Sequence, residues 1–524
     1  MRSTARLALV VCSLSWCGCM VGPKYKPPAP ATPLAIKEPP PDGWKEAQPA
    51  DGELKGKWWE IFGDPLLNSL EEQVALSNQN VIAAEAQYRE AKATVRVARS
   101  GLFPTVGTNI GIVESRFRNT GNNSNNGNNN QPANPATPPG SVNPGNGTGT
   151  DNSNSNSNST PLLSTSTNLG VTASWEPDLW GSIRRGVTGS VERAQASAAQ
   201  LEAAKLLYQS ELASDYFGLR ALDAQEDLFR RTVVSYQESL DLTRTRFNAG
   251  VVSEVDVQRA ATQLYAAQTS LTEIGVARAA FEHAIAILTG KAPAQLNIPA
   301  AVLNTTPPPI PLGAPSALLE RRPDIAAAER NVAAANEDIG IAKAAYFPAL
   351  TLTGTIGFAA SSFARWFSAP AFYWSVGPGL ADTILDFGQR RGQLEFTRAT
   401  YDALVANYRQ TVLTALGQVE DSLAALRILE RESAFEQQTI AAAARTLELS
   451  DLQYRAGTIS YLDVITAQTA LLQAQTGAVQ LMGRRMVSSV ELIQALGGGW
   501  HVNELPKRQD VMSKSASAGT TSTP

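Results

Sequence analysis

Two similar turns lie 207 residues apart in the chain, and they constrain its fold more than any other feature. Residues 454–468, YRAGTISYLDVITAQ, have a degenerate copy at residues 247–261, FNAGVVSEVDVQRAA. In each copy a long run with helical spacing of apolar residues stops at a glycine, Gly250 or Gly457. Glycine adopts the left-handed conformation that ends a helix more easily than other residues do. The chain is therefore predicted to be a duplication built around two helix ends.

A new helix is predicted to begin directly after each of these glycines. Each glycine is followed by a serine and then, three residues on, by an aspartate: Ser253 and Asp256 in the first copy, Ser460 and Asp463 in the second. This spacing is that of a capping box, in which the serine hydroxyl and a carboxylate satisfy free N–H groups of a new helix. Each stretch therefore predicts a sharp helix-to-helix turn.

The number of residues that separates corresponding positions of the two copies is larger near the start of the repeat than near its end. The glycines Gly250 and Gly457 lie 207 residues apart, whereas the Phe-Pro pairs at Phe103 and Phe347 lie 244 residues apart. The extra 37 residues fall at 119–161, a tract dominated by Asn, Gly, Ser, Thr and Pro. Such a composition cannot bury a core, and it predicts a disordered loop between the first two strands.

Cysteine and histidine usage argues against several kinds of site. All three cysteines lie in the first 19 residues, which leaves none for internal disulfides or thiolate metal sites. The sequence shows no glycine-rich phosphate loop, no plausible nucleophile–histidine pair and no metal-ligand spacing. A hydrophobic content of 43% and a net charge of −4 indicate neither disorder nor a nucleic-acid partner. The chain is therefore not expected to be an enzyme or to hold a metal.

The N-terminus has the features of a bacterial lipoprotein signal. Residues 1–18 combine two arginines with an apolar run too short to span a bilayer. The Gly18-Cys19 junction matches a lipobox, and a covalent lipid on Cys19 is the only non-protein group expected. Cys17 is a rival that would place Trp16 where a small residue is needed. A plain cleaved signal with unmodified cysteines is the alternative.

Proline positions divide the rest of the chain. Prolines are absent from residues 66–103, 178–292, 324–347 and 379–505, and these intervals are predicted to be the helical material. The predicted divisions are an extended leader at 19–65, a first repeat at 66–290, a proline-rich linker at 291–323, a second repeat at 324–498 and a tail at 499–524.

Both repeats contain an apolar stripe with spacings of three and four residues. In the first repeat the stripe runs from Leu201 to Leu240 with three polar lapses, and in the second from Tyr401 to Leu426. A helix of some 60 residues would be roughly 90 Å long and must pack beside others in a coiled-coil-like array. A simple long coiled coil would give the same stripe.

Four short segments alternate between apolar and small or polar residues, which predicts β-strands: 105–112, 169–175, 350–358 and 374–384. This alternation is typical of a membrane β-barrel, although a half-buried soluble sheet gives the same pattern. The secretory signal, combined with the lack of an apolar run long enough for a membrane helix, favours the barrel. Four strands cannot close a barrel, so two or more copies of the chain must each contribute four.

Several linked motifs in this duplicated frame resemble the TolC-like outer-membrane efflux channels, specifically the NodT-type lipoprotein branch. The motifs are CMVGPKY at 19–25, KWWEIFGDP at 57–65, SALLERRPDI at 316–325 and the two turns. The resemblance implies a mainly α fold with a membrane part: a homotrimer whose twelve strands form one barrel and whose helices form a periplasmic tunnel. It also implies docking with a periplasmic adaptor and an inner-membrane pump.

In this family the tunnel closes at the periplasmic tips, where the two turns are expected. The resemblance makes Asp256 the acidic gate residue of the first repeat, Tyr454 its partner in the second, and Asp463 part of an aspartate ring that faces the pore. Three aspartates around an axis would attract cations. Both aspartates also serve the capping boxes, which is the structural alternative.

The sequence departs from the family pattern at two tip positions. Ile459 stands where some members have an arginine that ties the tips shut, and Thr466 stands where a second aspartate ring is usual. Arg455 is a candidate substitute for the missing arginine. Leu462 is a candidate apolar constriction or, equally, a core residue.

The function predicted is that of a passive outer-membrane channel of a tripartite, RND-type efflux system, lipid-anchored at Cys19 and extending into the periplasm. The alternative is a periplasmic adaptor or scaffold whose long helical hairpins bridge membranes without conducting. The duplicated strands and tunnel-length helices favour the channel. The sequence does not identify the exported molecule.

Overall fold

The computed structural model describes residues 20–29, 37–38, 56–117, 162–302, 306–310 and 318–512. The predicted signal peptide, the lipidation site Cys19, the loop at 119–161, most of the leader and the end of the tail lie outside these residues. The described residues form two compact units, one helical and one that contains the strands.

Each repeat contains two long helices that follow a strand pair. The first repeat comprises α1 (Pro65–Ser77), α2 (Gln79–Ser100), β1 (Thr105–Phe117), β2 (Leu162–Trp175), α3 (Ser182–Asn248) and α4 (Glu254–Leu288). The second comprises α5 (Pro323–Ala344), β3 (Ala349–Ala360), β4 (Phe372–Ala381), α6 (Gln389–Arg455) and α7 (Tyr461–Ala495). Short helical turns add Trp58–Phe62, Pro293–Gln295, Leu318–Arg321, Phe363–Arg365, Ala369–Ala371, Val502–Glu504 and Arg508–Met512.

Corresponding helices of the two repeats have equal lengths. Helices α2 and α5 have 22 residues each, α3 and α6 have 67 each, and α4 and α7 have 35 each. A helix of 67 residues is about 100 Å long at 1.5 Å per residue. The predicted duplication is therefore confirmed element by element.

The ends of α4 and α7 make the same contact in their own repeats. Gly290 follows α4 with φ +73°, and a Cβ there would lie 2.2 Å from the Ser77 carbonyl oxygen. Gly497 follows α7 with φ +95°, and a Cβ there would lie 2.1 Å from the Arg321 carbonyl oxygen. Glycine is required at both positions for two reasons: the backbone is left-handed, and the neighbouring segment leaves no room for a side chain.

The predicted stripe of α3 is the face that packs. Its apolar members Leu212, Leu219 and Leu240 are buried, and the first two join the largest core cluster. That cluster also takes residues from the turn Trp58–Phe62 and from α4, α6 and α7, among them Phe62, Ile285, Leu423 and Val490. Within the described ranges no α-helix is long and apolar enough to span a bilayer.

The four strands form one antiparallel sheet in the order β1-β2-β3-β4. The register pairs Thr105 with Ser174 in the first hairpin and Ala349 with Ala381 in the second. Apolar side chains on one face are exposed in the single chain: Val106, Ile110, Ile112, Ile356, Trp374, Val376 and Leu380.

All four predicted strands are present, but β1, β2 and β3 are longer than predicted and β4 is shifted toward the N-terminus. Strands β1 and β2 extend toward the loop between them, to Phe117 and from Leu162. Strand β4 ends at Ala381, so the prediction that Ile384 belongs to this strand was wrong. Ile384 instead lies in the connection to α6 and is 96% exposed. The alternation of apolar and polar residues continues to Ile384 in the sequence, but the strand has no pairing partner beyond Ala381, which pairs with Ala349.

Candidate functional site at the two helix turns

Both long helices end in the same hydrogen-bonded turn. After α3, Gly250 has φ +74° and the Val251 N–H donates to the Arg246 carbonyl at 2.9 Å. After α6, Gly457 has φ +79° and the Thr458 N–H donates to the Gln453 carbonyl at 3.0 Å. These bonds satisfy carbonyls that the helix leaves free at its end. The left-handed glycines predicted from the sequence are therefore confirmed.

Both predicted capping boxes are present. Oδ2 of Asp256 accepts from the Ser253 Oγ at 3.0 Å and from the Ser253 N–H at 3.3 Å. Oδ2 of Asp463 accepts from the Ser460 Oγ at 2.9 Å and from the Ser460 N–H at 3.0 Å. One oxygen of each carboxylate thus fixes the start of α4 or α7.

Tyr454 is a core residue of the turns. It is 5% exposed and packs on Tyr461 with a ring-centroid distance of 5.2 Å. Both belong to a cluster that also contains Tyr236, Leu240, Ala260, Leu264 and Val464. Burial raises the pKa of Tyr236 and of Tyr461 to about 12, which keeps both phenols neutral.

The Tyr454 hydroxyl has no hydrogen-bond partner within the described part of the chain. The resemblance to the family predicts a contact between Tyr454 and Asp256. Within one chain the structure does not show this contact. Asp256 instead lies 3.7 Å from Arg259, one turn along its own helix. Any bond between the tyrosine and the aspartate would have to form between copies or after a rearrangement.

Arg246 joins the two turns, and the sequence analysis did not identify it. Its guanidinium donates to the Tyr454 carbonyl at 3.0 Å and to the Arg455 carbonyl at 2.9 Å. The same group lies 4.7 Å from the centroid of the Tyr454 ring. A cation at the C-terminal end of α6 meets free carbonyls and the negative end of the helix dipole. Arg246 thereby ties the end of α3 to the end of α6.

Comparison of the two copies of the turn gives one sequence indication for Arg246. Residue 246 corresponds to Gln453 at the offset of 207 that relates the two turns. At this position only the first copy carries a cation, and it lies in the last turn of a helix, where cations bind carbonyls.

Three of the predicted gate residues share one exposed face at the start of α7. Leu462, Asp463 and Thr466 are exposed, whereas Tyr461 and Val464 face the core. The Thr466 hydroxyl donates to the Leu462 carbonyl at 2.9 Å, so it is used within its own helix. This face presents one carboxylate and one apolar side chain next to each other, which suits a constriction that both narrows a pore and attracts cations.

The remaining tip positions have different partners from those expected. Arg455 pairs with Asp451 at 2.8 Å on its own helix, and its side chain is 62% exposed. Ile459 packs against the cluster around Tyr454 and Tyr461. Position 459 therefore has apolar packing, and the contact between the two turns is made by Arg246.

A shallow groove lies between the first turns of α4 and α7. It has a volume of about 570 Å³ and is lined by Glu254, Arg259 and Gln263 on one side and by Leu462 and Ile465 on the other. Deeper along the pair, the Gln263 amide donates to the Thr469 hydroxyl at 2.9 Å, which holds the two helices together.

Known proteins with this arrangement are outer-membrane channels. The family model described as "Outer membrane efflux protein" matches residues 141–291 and 314–498. The outer-membrane channel OprN has a similar structure, with a TM-score of 0.78, 28% identity and coverage of 92% of this chain and 100% of that one. The CmeC outer membrane channel of Campylobacter jejuni, 23% identical, has the same fold with a TM-score of 0.79 over 93% of this chain and 96% of that one.

Sequence relatives agree with the structural ones. The pyoverdine export outer membrane protein OpmQ of Pseudomonas aeruginosa is 30% identical over 446 residues, which cover 85% of this chain and 87% of that protein. The toluene efflux pump outer membrane protein TtgC of Pseudomonas putida is 29% identical over 501 residues, 94% of this chain and 96% of that protein. The chain belongs to the outer membrane efflux protein family. It is the outer-membrane channel component of an efflux system with a TolC-like fold, and the adaptor alternative does not fit.

Proposed function

We propose that three copies of this chain form one passive export channel that is gated at the turns after α3 and α6. The observation that carries the proposal is the pairing of duplicated 67-residue helices with a four-stranded sheet whose exposed face is apolar. Four strands are fewer than the roughly eight of the smallest membrane barrels, and three copies supply twelve. The channel would catalyse no reaction and would draw its energy from partner proteins.

The proposed partners are a periplasmic adaptor and an inner-membrane pump of the RND type. They would dock at the turns, where the groove beside Glu254 and Leu462 offers both charge and apolar surface. The transported molecules of the relatives, pyoverdine and toluene, differ widely in chemistry. Small molecules are therefore the proposed cargo class, and the pump would select among them.

The proposed gate combines hydrogen bonds between two helix ends with a ring of negative charge. Arg246 holds the ends of α3 and α6 together, and its release would let the hairpins separate. Asp463 would form a ring of three carboxylates around the axis, beside a ring of Leu462. Asp256, Tyr454, Arg455 and Thr466 remain predicted gate residues with the contacts described above.

The described start of the leader supports a lipid anchor on Cys19. The Val21 N–H donates to the Trp180 carbonyl at 3.1 Å, and the buried Arg185 guanidinium donates to the carbonyls of Val21 at 2.8 Å and Pro23 at 3.2 Å. Glu337 forms an ion pair with the same Arg185 guanidinium at 2.7 Å. Val21 and Pro23 are thus held at the start of α3, two and four residues after the proposed lipidation site.

Planar lipid bilayers test the proposal. Purified protein is expected to give stepwise ionic currents and to migrate as a trimer on native gels. A monomer without conductance would refute the channel. Capture of an adaptor by the intact protein, and loss of this capture when Leu462 and Glu254 are both replaced by alanine, would test the docking surface separately.

A further inference from the structure

The turn between β3 and β4, at residues 361–371, is compact and rich in aromatic residues. It contains two short helical turns, Phe363–Arg365 and Ala369–Ala371. Hydrogen bonds fix its backbone, because the Arg365 carbonyl accepts from the Ser368 N–H at 3.1 Å and from the Ser368 hydroxyl at 2.7 Å. The turn therefore holds its side chains in defined positions.

Five aromatic rings form a continuous row from this turn onto the strands. Trp366 stacks on Phe367 with ring centroids 5.3 Å apart, and Phe363 lies 5.6 Å from Trp366. Phe367 contacts Phe358 of β3 at 5.8 Å, and Phe358 contacts Phe372 of β4 at 5.6 Å. Phe363 and Phe367 are 69% and 67% exposed, whereas Trp366 is buried beneath them. This aromatic row presents a wide apolar surface.

The aromatic row continues the exposed apolar face of the sheet. Phe358 pairs with Phe372, and Ile356 pairs with Trp374, two residues further along each strand. Side chains two residues apart on a strand share one face. Ile356 and Trp374 are both exposed in the single chain. In membrane barrels such an outward apolar band ends at each interface in a girdle of aromatic residues.

The row lies at the level where this face of the sheet becomes polar. On β1 the face changes from Ile112 to Glu114. Ile112 pairs with Thr167 of β2, and Thr167 pairs in turn with Ala360, two residues beyond Phe358. The aromatic row therefore marks one edge of the apolar band, where hydrocarbon gives way to lipid headgroups.

The hairpin connections lie at one end of the sheet, and the strand ends that continue into helices lie at the other. Strands β1 and β3 follow helices, and β2 and β4 precede the two longest helices. Because the four strands are antiparallel neighbours, both hairpin connections share the opposite end. With the helices in the periplasm, this end meets the outer leaflet of the outer membrane.

Arg365 brings one positive charge to the aromatic row. It is the only charged residue within residues 348–381, so the hairpin has no carboxylate to pair with it. Its side chain is exposed, and its guanidinium has no hydrogen bond or ion pair in the part of the chain that the structure describes. Arginine binds phosphate groups through two parallel hydrogen bonds. An anionic lipid headgroup is therefore the partner that suits this charge.

We infer that the β3–β4 turn binds lipid A, the phosphorylated glycolipid of the outer leaflet. The Arg365 guanidinium binds a lipid A phosphate, and the rings of Phe363 and Phe367 lie beside the upper parts of the acyl chains. This inference rests on the proposed channel, which places the turn at the outer surface. It adds a lipid partner that conduction itself does not require.

Native mass spectrometry of the full-length protein, titrated with lipid A in detergent, tests the inference. The wild type is expected to bind lipid A more tightly than dephosphorylated lipid A. Arg365→Ala is expected to raise the Kd for lipid A about fivefold, the effect of one arginine near an anionic surface, and to leave the Kd for the dephosphorylated lipid unchanged. Arg398→Ala, which removes an exposed arginine of α6, is the matched control and should bind lipid A as the wild type does.

A second variant separates the rings from the charge. Phe363 is exposed, and its ring contact among the described residues is with Trp366. Phe363→Ala is expected to weaken the binding of phosphorylated and dephosphorylated lipid by the same factor, because an apolar ring does not distinguish the two headgroups. A loss confined to the phosphorylated lipid would overturn the placement of this ring beside the acyl chains.

The outcomes separate this inference from the proposed function. Equal Kd values of the wild type and Arg365→Ala for lipid A, in protein that conducts ions in planar bilayers, would overturn the inference and leave the channel intact. Displacement of lipid A by millimolar inorganic phosphate would show a site for free anions and would also overturn it. A wild type that is monomeric and does not conduct would overturn both, because the turn would then have no place at the outer leaflet.

Discussion

Arg246 shows how a single side chain can connect two copies of a duplicated element. Its guanidinium reaches the last carbonyls of α6 and covers the face of Tyr454. Arg246 could not be singled out from the sequence, because the chain has 44 lysines and arginines and a cation at a helix end is common. What identifies it is the geometry of the facing helix, which periodicity does not specify.

Replacing Arg246 by alanine is expected to loosen the turns. Two hydrogen bonds from a charged donor and one cation–π contact would be lost, together worth roughly 2 kcal/mol, and this shifts an open–closed equilibrium by about thirtyfold. The measurement is the open probability and conductance of single channels in planar bilayers. Arg246→Lys should be intermediate, since an ammonium cannot bind two carbonyls in the same fork.

Arg244→Ala is the control for this prediction. Arg244 lies on the same helix and makes an exposed ion pair with Asp241 at 3.7 Å, so its removal should leave the open probability unchanged. If Arg246→Ala and Arg244→Ala behave alike, Arg246 does not hold the turns closed.

The observed role of Asp463 as a helix cap can be separated from its proposed electrostatic role. Asp463→Asn keeps an oxygen for Ser460 but removes the charge, whereas Asp463→Ala removes both and costs about 1 kcal/mol at the cap. We expect both variants to lower the preference for cations in a salt-gradient reversal potential, and only alanine to lower the melting temperature. Asp451→Asn, on the end of α6, is the control. Unchanged selectivity in Asp463→Asn would show that the residue is only a cap.

The helices and turns were predictable from the sequence for local reasons. The stripe of α3, the left-handed Gly250 and the capping box at Ser253 each depend on residues within one or two turns of each other. The break at Asn78 between α1 and α2 was missed, although its side chain caps α2 by accepting from two N–H groups. The burial of Tyr454 and the exposure of Leu462 depend on which helices meet, and such contacts are not encoded in spacing.

Gly290→Ala is expected to destabilise the protein by at least about 2 kcal/mol, because alanine is strained at φ +73° and its Cβ would meet the Ser77 carbonyl. Gly275→Ala, inside α4, is the matched control. A Cβ at Gly275 meets nothing within 4 Å, so this change should stabilise the helix by about 0.5–1 kcal/mol. Thermal unfolding followed by circular dichroism measures both. Equal effects would show that the end of α4 is not packed tightly on Ser77.

Asp215 is one of the polar lapses in the stripe of α3. Burial, with a smaller contribution from Glu211, raises its pKa to about 6. An acid whose pKa is raised on folding destabilises the native state once it is ionised. Asp215 therefore does not lower the free energy of unfolding at pH values below the unfolded pKa of about 3.9. Its destabilising effect develops as the pH rises toward its folded pKa of about 6 and is complete above that pH.

Asp215→Asn should accordingly raise the melting temperature at pH 8 and leave it unchanged near pH 4. The expected gain at pH 8 is roughly 1–2 kcal/mol after allowance for partial exposure. Asp241→Asn, an exposed aspartate of the same helix, should show no such dependence. A gain of the same size at both pH values would mean that the Asp215 charge is not the cause.

The whole molecule is a duplication, and its two copies differ at single positions within a shared order of elements. Both turns have a left-handed glycine and a capping box, but the residue of the second copy that corresponds to Arg246 is Gln453. Fold class and duplication could be predicted because they are repeated signals. The contacts of Arg246 could not, because their partners lie on the facing helix.

The last prediction concerns the proposed lipid on Cys19 and the described start of the leader. Cys19→Ser should abolish labelling with radioactive palmitate yet leave the protein in the outer-membrane fraction after carbonate extraction, since a single acyl chain anchors weakly and the strands supply the main insertion. Arg185→Ala should keep the label but expose the leader to protease, because Val21 and Pro23 lose their donors. Persistent labelling of Cys19→Ser would place the lipid elsewhere. Release of that variant into the soluble fraction would show that the lipid, and not the sheet, holds the channel in the membrane.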